Sequence, residues 1–409
     1  MTDLIVIGGG PAGMILAGRA AENSARVLLL EKNEKLGVKL LITGKGRCNI
    51  ANAEADIKKI IQQFGKNGKF LYSALYQFNA QKIVDFFENL GVKTKTERGN
   101  RIFPVSNKSA DILNALIKYL KKNKVKIRTN SEVKDIVVKK NIIQKIILKS
   151  GEELIAKNYA ICTGGKSYPA TGASGDGYKW LKKMGHNIIL PTPSLVPIIL
   201  KEKYIKDLEG LSLKNVNISV FQNNKKQDER FGEAIFTANG MSGPIILDMS
   251  KKINELLNKG QVILKIDFKP ALEFKILDKR IQNDFSKMKN KMFKNSLDLL
   301  LPKKMILVMI KLSKIDGEKK ANSITKEERN RLLHLLKDFK LEVKKIDGFN
   351  KAIVTAGGVD LKEINPKTMK SKIINNLFIA GEVLDLDGPT GGYNLEASWS
   401  TGYCAGDNF

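Results

Sequence analysis

The sequence predicts an α/β fold in which a nucleotide-binding unit on a parallel sheet is interrupted by an inserted domain and completed by the C-terminal segment. Three observations carry this expectation. A short apolar strand feeds directly into Gly8-Gly9-Gly10-Pro11-Ala12-Gly13. From about residue 191 the chain changes to short strands and a Lys-rich block. After residue 351, apolar strands ending in glycine return.

The first unit reads as strand, glycine-rich turn, helix, strand, acid. Leu4–Ile7 is the strand, a helix runs from the glycines through Ala21, and Arg26–Leu30 forms a second strand that ends at Glu31. In such a unit Gly8 permits the tight turn, Gly10 lets the backbone approach a pyrophosphate, and Gly13 lets helix and strand pack closely. The helix N-terminus offers free N–H groups to the phosphates. Glu31 is placed to accept hydrogen bonds from a ribose diol.

Next comes Leu40–Asn49, "LLITGKGRCN", which gathers two glycines, two cations, a thiol and an amide. Its position after Glu31 predicts a cradle in which Thr43 to Gly46 supply N–H and hydroxyl contacts. Cys48 follows Arg47 in this loop, where neighbouring N–H groups and the cation are expected to lower its pKa. Cys162 and Cys404 read as small packing residues.

Asn79 is placed to cap a helix carrying Ile83, Val84, Phe86, Phe87 and Leu90. A second helix carries Ile112, Leu113, Leu116, Ile117 and Leu120, and strands follow at 125–127, 133–138 and 142–148. Tyr159–Gly165 is a strand ending in glycines. "PTPSLVPI", from Pro191, has three prolines and reads as a linker. The domain expectation is 1–190 and 351–409 for the nucleotide-binding unit. Between them lie a β-barrel part at 191–270, a helical part at 271–337 and a return strand at 338–350. In the last segment Ile353–Val359 and Leu377–Glu382 are strands, and a glycine-rich turn opens a helix at Leu395–Ala405.

Charge is the unusual compositional feature, with 70 basic against 42 acidic residues and a net +28. The excess is clustered: residues 51–150 carry +13 and 251–350 carry +12, while 351–409 carry −2. Clustered excess of this size favours a polyanionic partner with a phosphate backbone. Three scattered cysteines are no disulfide framework and fit a reducing cytoplasm. With two histidines and no CxxC, no His/Cys metal site is expected. No apolar stretch is long enough to span a bilayer, and no basic leader precedes the first strand.

Taken together these stretches resemble the BaiN/RdsA family of FAD-dependent oxidoreductases over nearly the whole chain. The residues that carry the resemblance are Gly8–Gly13 with Glu31, Gly44–Asn49, Thr163–Tyr178, Thr355–Val359 and Ala380–Gly402. One departure is Lys45, where relatives usually carry a third glycine. The resemblance implies a Rossmann-type FAD-binding domain, of the class that binds two dinucleotides, interrupted by a β-barrel and a small helical domain. It implies FAD contacts at Gly8, Gly10, Pro11, Ala12, Gly13, Glu31, Lys32 and Lys39. In the loop they are Thr43, Gly44, Gly46, Arg47, Cys48 and Asn49, with Arg47 pairing with a phosphate or flavin oxygen. Further contacts implied are Val133, Thr163, Gly164, Gly165, Gly357, Gly381, Glu382, Asp387, Gly392, Tyr393, Asn394 and Leu395. Glu382 would meet the ribityl hydroxyls, and the terminal helix would aim its N–H groups at the flavin N1/C2 carbonyl.

The chemistry implied is reduction of a C=C bond conjugated to a carbonyl, with NAD(P)H as a transient electron donor. Two substrates are implied: a uridine of large-subunit ribosomal RNA, giving dihydrouridine, or an oxo-steroid of bile-acid type. A steroid needs no basic field, so the charge favours ribosomal RNA as partner. A non-catalytic flavoprotein that binds ribosome precursors is the alternative of another class. Cys48, Tyr168 and Tyr393 are the candidate general acids. Phe231, Phe236, Tyr168 and Tyr393 are candidates for stacking an extruded base.

Overall fold

The computed structural model describes residues 2–409. It divides into two compact units, one running to Ser194 and resuming at Phe349–Phe409, the other comprising Leu195–Gly348.

The first unit is built on a five-stranded parallel sheet with the order Leu377–Ile379, Ala156–Ile161, Thr2–Ile7, Val27–Leu30, Lys126–Arg128. A parallel sheet is covered on both faces, so its strands read as continuous apolar runs. Leu4, Ile5, Val6, Tyr159, Ala160 and Ile161 are accordingly buried. The chain leaves Thr2–Ile7 towards one edge of the sheet and later returns to its other side at Ala156–Ile161. Gly8, Glu31, Thr163 and Gly381 all follow the carboxyl ends of these strands.

Two helices set the geometry above that edge. The first is Pro11–Glu22 and the last is Tyr393–Asp407. They approach backbone to backbone: a Cβ added at Gly402 would lie 2.4 Å from the Ala12 carbonyl oxygen, and one at Gly406 would lie 2.7 Å from that of Leu16. Ala12 thus faces Gly402 and Leu16 faces Gly406, so the helices run in the same direction. The terminal helix begins roughly eight residues further back, which carries its N-terminus about 12 Å beyond that of the first helix. Arg19 closes the far end, donating to Asp407 at 2.6 and 2.9 Å.

Part of the stretch expected as a linker, 191–198, is a strand: Pro191–Ser194 belong to Ile188–Ser194, which pairs antiparallel with Val354–Val359, and 195–197 are without helix or strand. The prolines are tolerated because the two strands form a sheet of their own, with a bulge between Ile189 and Thr192 where Leu190 and Pro191 lie. The expected capping of Ala80–Asn89 is present, with the Asn79 side chain accepting from the Lys82 N–H at 3.0 Å.

The second unit holds a closed six-stranded barrel in the order Ile198–Leu200, Gly240–Ser242, Lys225–Thr237, Ser212–Gln222, Val262–Asp267, Phe339–Ile346. The Lys-rich helices Phe274–Lys287, Lys303–Ser313 and Lys326–Lys337 do not have a core of their own. Leu277, Ile281, Met305 and Leu332 join Ile218, Val220 and Leu264 in one buried cluster. The amphipathic helices have apolar stripes on one side only, so they are stable packed on this shared core. Phe236 belongs to that core at 1% exposure, which removes it as a base-stacking candidate.

The helix crossing is testable. Gly402→Ala forces a methyl into the Ala12 carbonyl, an overpacking worth about 1–3 kcal/mol, and should lower the melting temperature by several degrees. Gly10→Ala adds a methyl that meets nothing within 4 Å and should leave the melt of the flavin-free protein unchanged. Equal melts for both variants would contradict the crossing.

Candidate dinucleotide cofactor site

The glycines of the fingerprint divide into two kinds. Gly8 has φ +108°, and a Cβ there would lie 2.5 Å from the Cys162 carbonyl oxygen. A Cβ at Gly13 would lie 2.0 Å from the Gly8 carbonyl oxygen. These two hold turn, helix and strand together. Gly10 instead faces open space and forms the N-cap of the first helix without a side-chain cap. With Pro11 at the first helical position, the N–H groups of Ala12 and Gly13 are left for an external acceptor. Glu31 is buried at the end of its strand, fixed by the Gly9 N–H on Oε2 and the Asn33 N–H on Oε1, both at 2.8 Å.

The Thr43–Asn49 loop is a chain of left-handed residues: Gly44 (φ +56°), Lys45 (+59°), Gly46 (+82°) and Cys48 (+59°). Lys45 therefore occupies a conformation that a glycine adopts without steric cost. The Cys48 N–H bonds the Thr43 carbonyl at 3.0 Å, and the Thr43 hydroxyl bonds the Leu40 carbonyl at 2.7 Å. Two expectations fail here. Cys48 is fully buried, and burial pushes its thiol up to about 12 instead of lowering it. A thiol with no exposed surface meets no substrate, so Cys48 is withdrawn as the general acid. Arg47 is engaged by protein groups instead of standing free for a phosphate, pairing with Glu97 and donating to Asn107 at 3.0 Å while stacking 4.0 Å over Phe103.

At the other end of the cleft, Glu382 ties four segments together. It accepts from Lys39 Nζ at 2.6 Å, the Ser167 hydroxyl at 2.8 Å and the Thr355 N–H at 3.0 Å. Lys39 also donates to Ser167 at 2.6 Å, and the Thr355 hydroxyl accepts from the Lys166 and Ser167 amides at 2.8 and 3.1 Å. Both Glu382 oxygens are thus engaged by protein groups, which makes it chiefly an anchor of the cleft. The turn before the terminal helix is braced by Asn394, whose side chain accepts from the Gly388 N–H at 2.8 Å and donates to the Gly388 and Pro389 carbonyls. Asn52 holds the Gly391 carbonyl at 3.0 Å, and Asn67 holds the Asp385 carbonyl at 2.7 Å. Asp387 accepts from the Ser194 hydroxyl at 3.1 Å. Gly392 (φ +106°) caps the helix with no side-chain bond, and a Cβ there would lie 2.4 Å from the Ala51 carbonyl oxygen.

Several residues expected from the sequence have other employment. Lys32 bonds Ser174 and Asp176. Val133 is a buried strand residue. Gly357 lets its strand pass the Leu190 carbonyl, which a Cβ would meet at 2.5 Å. Tyr168, with φ +52°, is half-buried beside Ser167, and Tyr393 and Leu395 lie half-buried in the first turn of the terminal helix. Phe231, 65% exposed, lies in the separate barrel unit. Ser167 and Thr355 lie inside stretches that carry the resemblance, yet neither they nor Asn52 and Asn67 announce a role in the sequence, because each acts through a partner distant in the chain.

The residues present fit FAD. The backbone is open at Gly10 and Gly46, and at Gly164 a Cβ would meet only Glu382 Oε2, at 4.0 Å. Two buried oxygens, Asn49 Oδ1 and Thr163 Oγ1, have no protein partner, and an orphaned buried acceptor calls for a ligand or water. The first helix suits the pyrophosphate. The terminal helix, reaching about 12 Å further, suits the far end of an extended dinucleotide.

The HI0933-like protein Rossmann domain model matches residues 2–408. The chain belongs to the HI0933-like family. It is 32% identical to a 3-dehydro-bile acid delta(4,6)-reductase of Clostridium scindens, over 99% of this chain and 98% of the relative. It is 29% identical to a ribosomal RNA dihydrouridine synthase of Escherichia coli, over 99% of this chain and 97% of the relative. Among solved structures, the open conformation of a flavocytochrome c3 fumarate reductase superposes with a TM-score of 0.53 at 19% identity, covering 100% of this chain and 78% of the other. The fold of this HI0933-like chain is accordingly the Rossmann-type FAD-binding fold.

One buried acid of the site yields a pH prediction. Glu396, in the first turns of the terminal helix, is 0% exposed, and burial pushes its carboxyl up to about 8 against the amides of Asn52 and Ala80. The folded state holds this proton where the unfolded chain has lost it. The stabilisation is therefore complete below the ordinary carboxyl pKa and is lost as pH rises to about 8. Across that window the group should weaken the folding equilibrium by about tenfold per pH unit. Thermal melts from pH 5 to 9 should show Glu396→Gln with a smaller decline than the native chain; parallel declines would contradict it.

Proposed function

We propose that the chain is a FAD-dependent reductase of a C=C bond conjugated to a carbonyl, and that its substrate is a uridine of large-subunit ribosomal RNA. The observation that carries the substrate choice is the charge. The first unit has a net charge of +16 and the second +12. Of the second unit's excess, +10 lies in residues 274–337. Exposed lysines such as Lys275, Lys287, Lys311 and Lys326 have no carboxylate within ion-pair distance among the described residues. Such a surface suits a phosphate backbone, whereas a bile-acid-type steroid brings at most a single carboxylate and needs no basic field of this extent.

Gly10, Ala12 and Gly13 would hold the pyrophosphate of FAD by their backbone, Glu31 would hold the ribose, and the amides at the start of the terminal helix would stabilise negative charge on the flavin. Held there in its reduced form, the cofactor would supply hydride chemistry for the β-carbon of the conjugated bond. The α-carbon takes a proton from a phenol of the cleft, Tyr168 or Tyr393, the two candidate acids left once Cys48 is withdrawn. NAD(P)H is the proposed electron source.

The second reading, a reductase of an oxo-steroid of bile-acid type, is favoured by the 32% identity to the Clostridium scindens relative. One experiment separates the two. Reduced protein is incubated in parallel with protein-free ribosomal RNA and with a 3-oxo-Δ4 steroid. A gain of about 2 Da on one uridine, with no loss of enone absorbance from the steroid, is expected; the opposite pattern would overturn the RNA reading. Tyr→Phe at the true acid should slow the reaction about a hundredfold or more with flavin still bound.

A further inference from the structure

The segment between Ile57 and Val84 holds five lysines and no Asp or Glu. Its short helix Tyr72–Gln77 is anchored through Ala74 and Leu75, which are buried, with Leu71 and Phe78 at either end. Phe78 stacks on Tyr403 at 4.4 Å, and its carbonyl accepts from the Ser400 hydroxyl at 2.6 Å. The opposite face therefore cannot turn inward. It presents Tyr72 and Tyr76, 52% and 69% exposed. Four residues apart on a helix, the two rings are neighbours with Cβ atoms about 5–6 Å apart.

Cations surround this pair. Lys66 and Lys69 are exposed just before it, with no carboxylate partner among the described residues. Lys82 lies just after it, its ammonium donating to the Gln77 carbonyl at 2.9 Å. The segment also leans on the cofactor turn: Asn67 donates to the Asp385 carbonyl and carboxylate at 2.7 and 2.8 Å, and a Cβ at Gly388 would lie 3.0 Å from the Phe64 ring.

We propose that Tyr72 and Tyr76 form a stacking platform for unpaired nucleobases of a single-stranded RNA segment, next to the flavin cleft, with Lys66, Lys69 and Lys82 taking the flanking phosphates. This rests on the RNA reading above and adds a recognition site to it. Exposed aromatic faces suit any base by stacking, and free lysines suit phosphates. A duplex hides its base faces, so the platform selects loops, bulges or opened strands. A protein interface would deplete lysine at such a centre, so the charge favours RNA over a second copy of the chain.

The test uses the flavin-loaded full chain and a fluorescein-labelled single-stranded oligouridylate, read by anisotropy over a range of salt. Tyr72→Ala and Tyr76→Ala should each weaken binding about tenfold, while Tyr→Phe at either position keeps most of it. Lys66→Ala with Lys69→Ala should lower the salt slope by about one. Flavin content and melting temperature should match the native chain in every variant. Native affinity in the Tyr72→Ala/Tyr76→Ala double variant would overturn the platform. So would a changed sedimentation coefficient with RNA binding intact, which would assign the face to self-association. If the native chain neither binds the oligomer nor reduces ribosomal RNA, the RNA reading itself falls. If the native chain binds and the tyrosine variants bind equally, only the platform falls.

Discussion

The arrangement of the cleft depends on one contact, the backbone approach of the first and last helices at Gly402 and Gly406. Side chains at these positions would push the helices apart, and the offset between their N-termini would no longer be fixed. That offset sets the two helix N-termini at a separation suited to an extended dinucleotide. The parallel sheet supplies the rest, because its strand ends deliver Gly8, Glu31, Thr163 and Gly381 to the same edge. The contact joins residues almost four hundred positions apart, so the cleft is complete only when the C-terminal segment has returned.

Around the cleft, polar groups brace the protein more than they face outward. Glu382, Lys39, Ser167 and Thr355 satisfy one another, and Asn394, Asn52 and Asn67 each hold a carbonyl of the turn. Buried polar networks of this kind rigidify a site when every member is paired. Asn49 Oδ1, Thr163 Oγ1 and Glu396 Oε1 are exceptions, buried without a hydrogen-bond partner, and Asn49, in the loop of left-handed residues, is the one that points to a ligand there.

Much of this was legible in the sequence. The glycine fingerprint, Glu31 and the strand after residue 377 were readable because each is a local motif whose spacing follows from one strand–helix unit. Charge clustering was likewise visible. What failed depended on burial or on distant partners. Arg47 and Cys48 are adjacent in the chain, yet Arg47 leaves for Glu97 and Cys48 is buried, and no local rule separates them. "PTPSLVPI" reads as a linker because the strand that pairs with its first four residues lies some 165 residues away. The spacing of Leu71, Ala74, Leu75 and Phe78 assigns Tyr72 and Tyr76 to the outer face of their helix, but exposure alone names no ligand.

The central claim is that two offset helix N-termini cradle one extended FAD. A crystal structure of the flavin-loaded chain tests it directly. Pyrophosphate oxygens are expected within hydrogen-bond distance of the Ala12 and Gly13 amides, and the flavin pyrimidine edge at the start of the Tyr393–Asp407 helix. A flavin ring bound away from that helix, or a pyrophosphate away from Gly10, would contradict it.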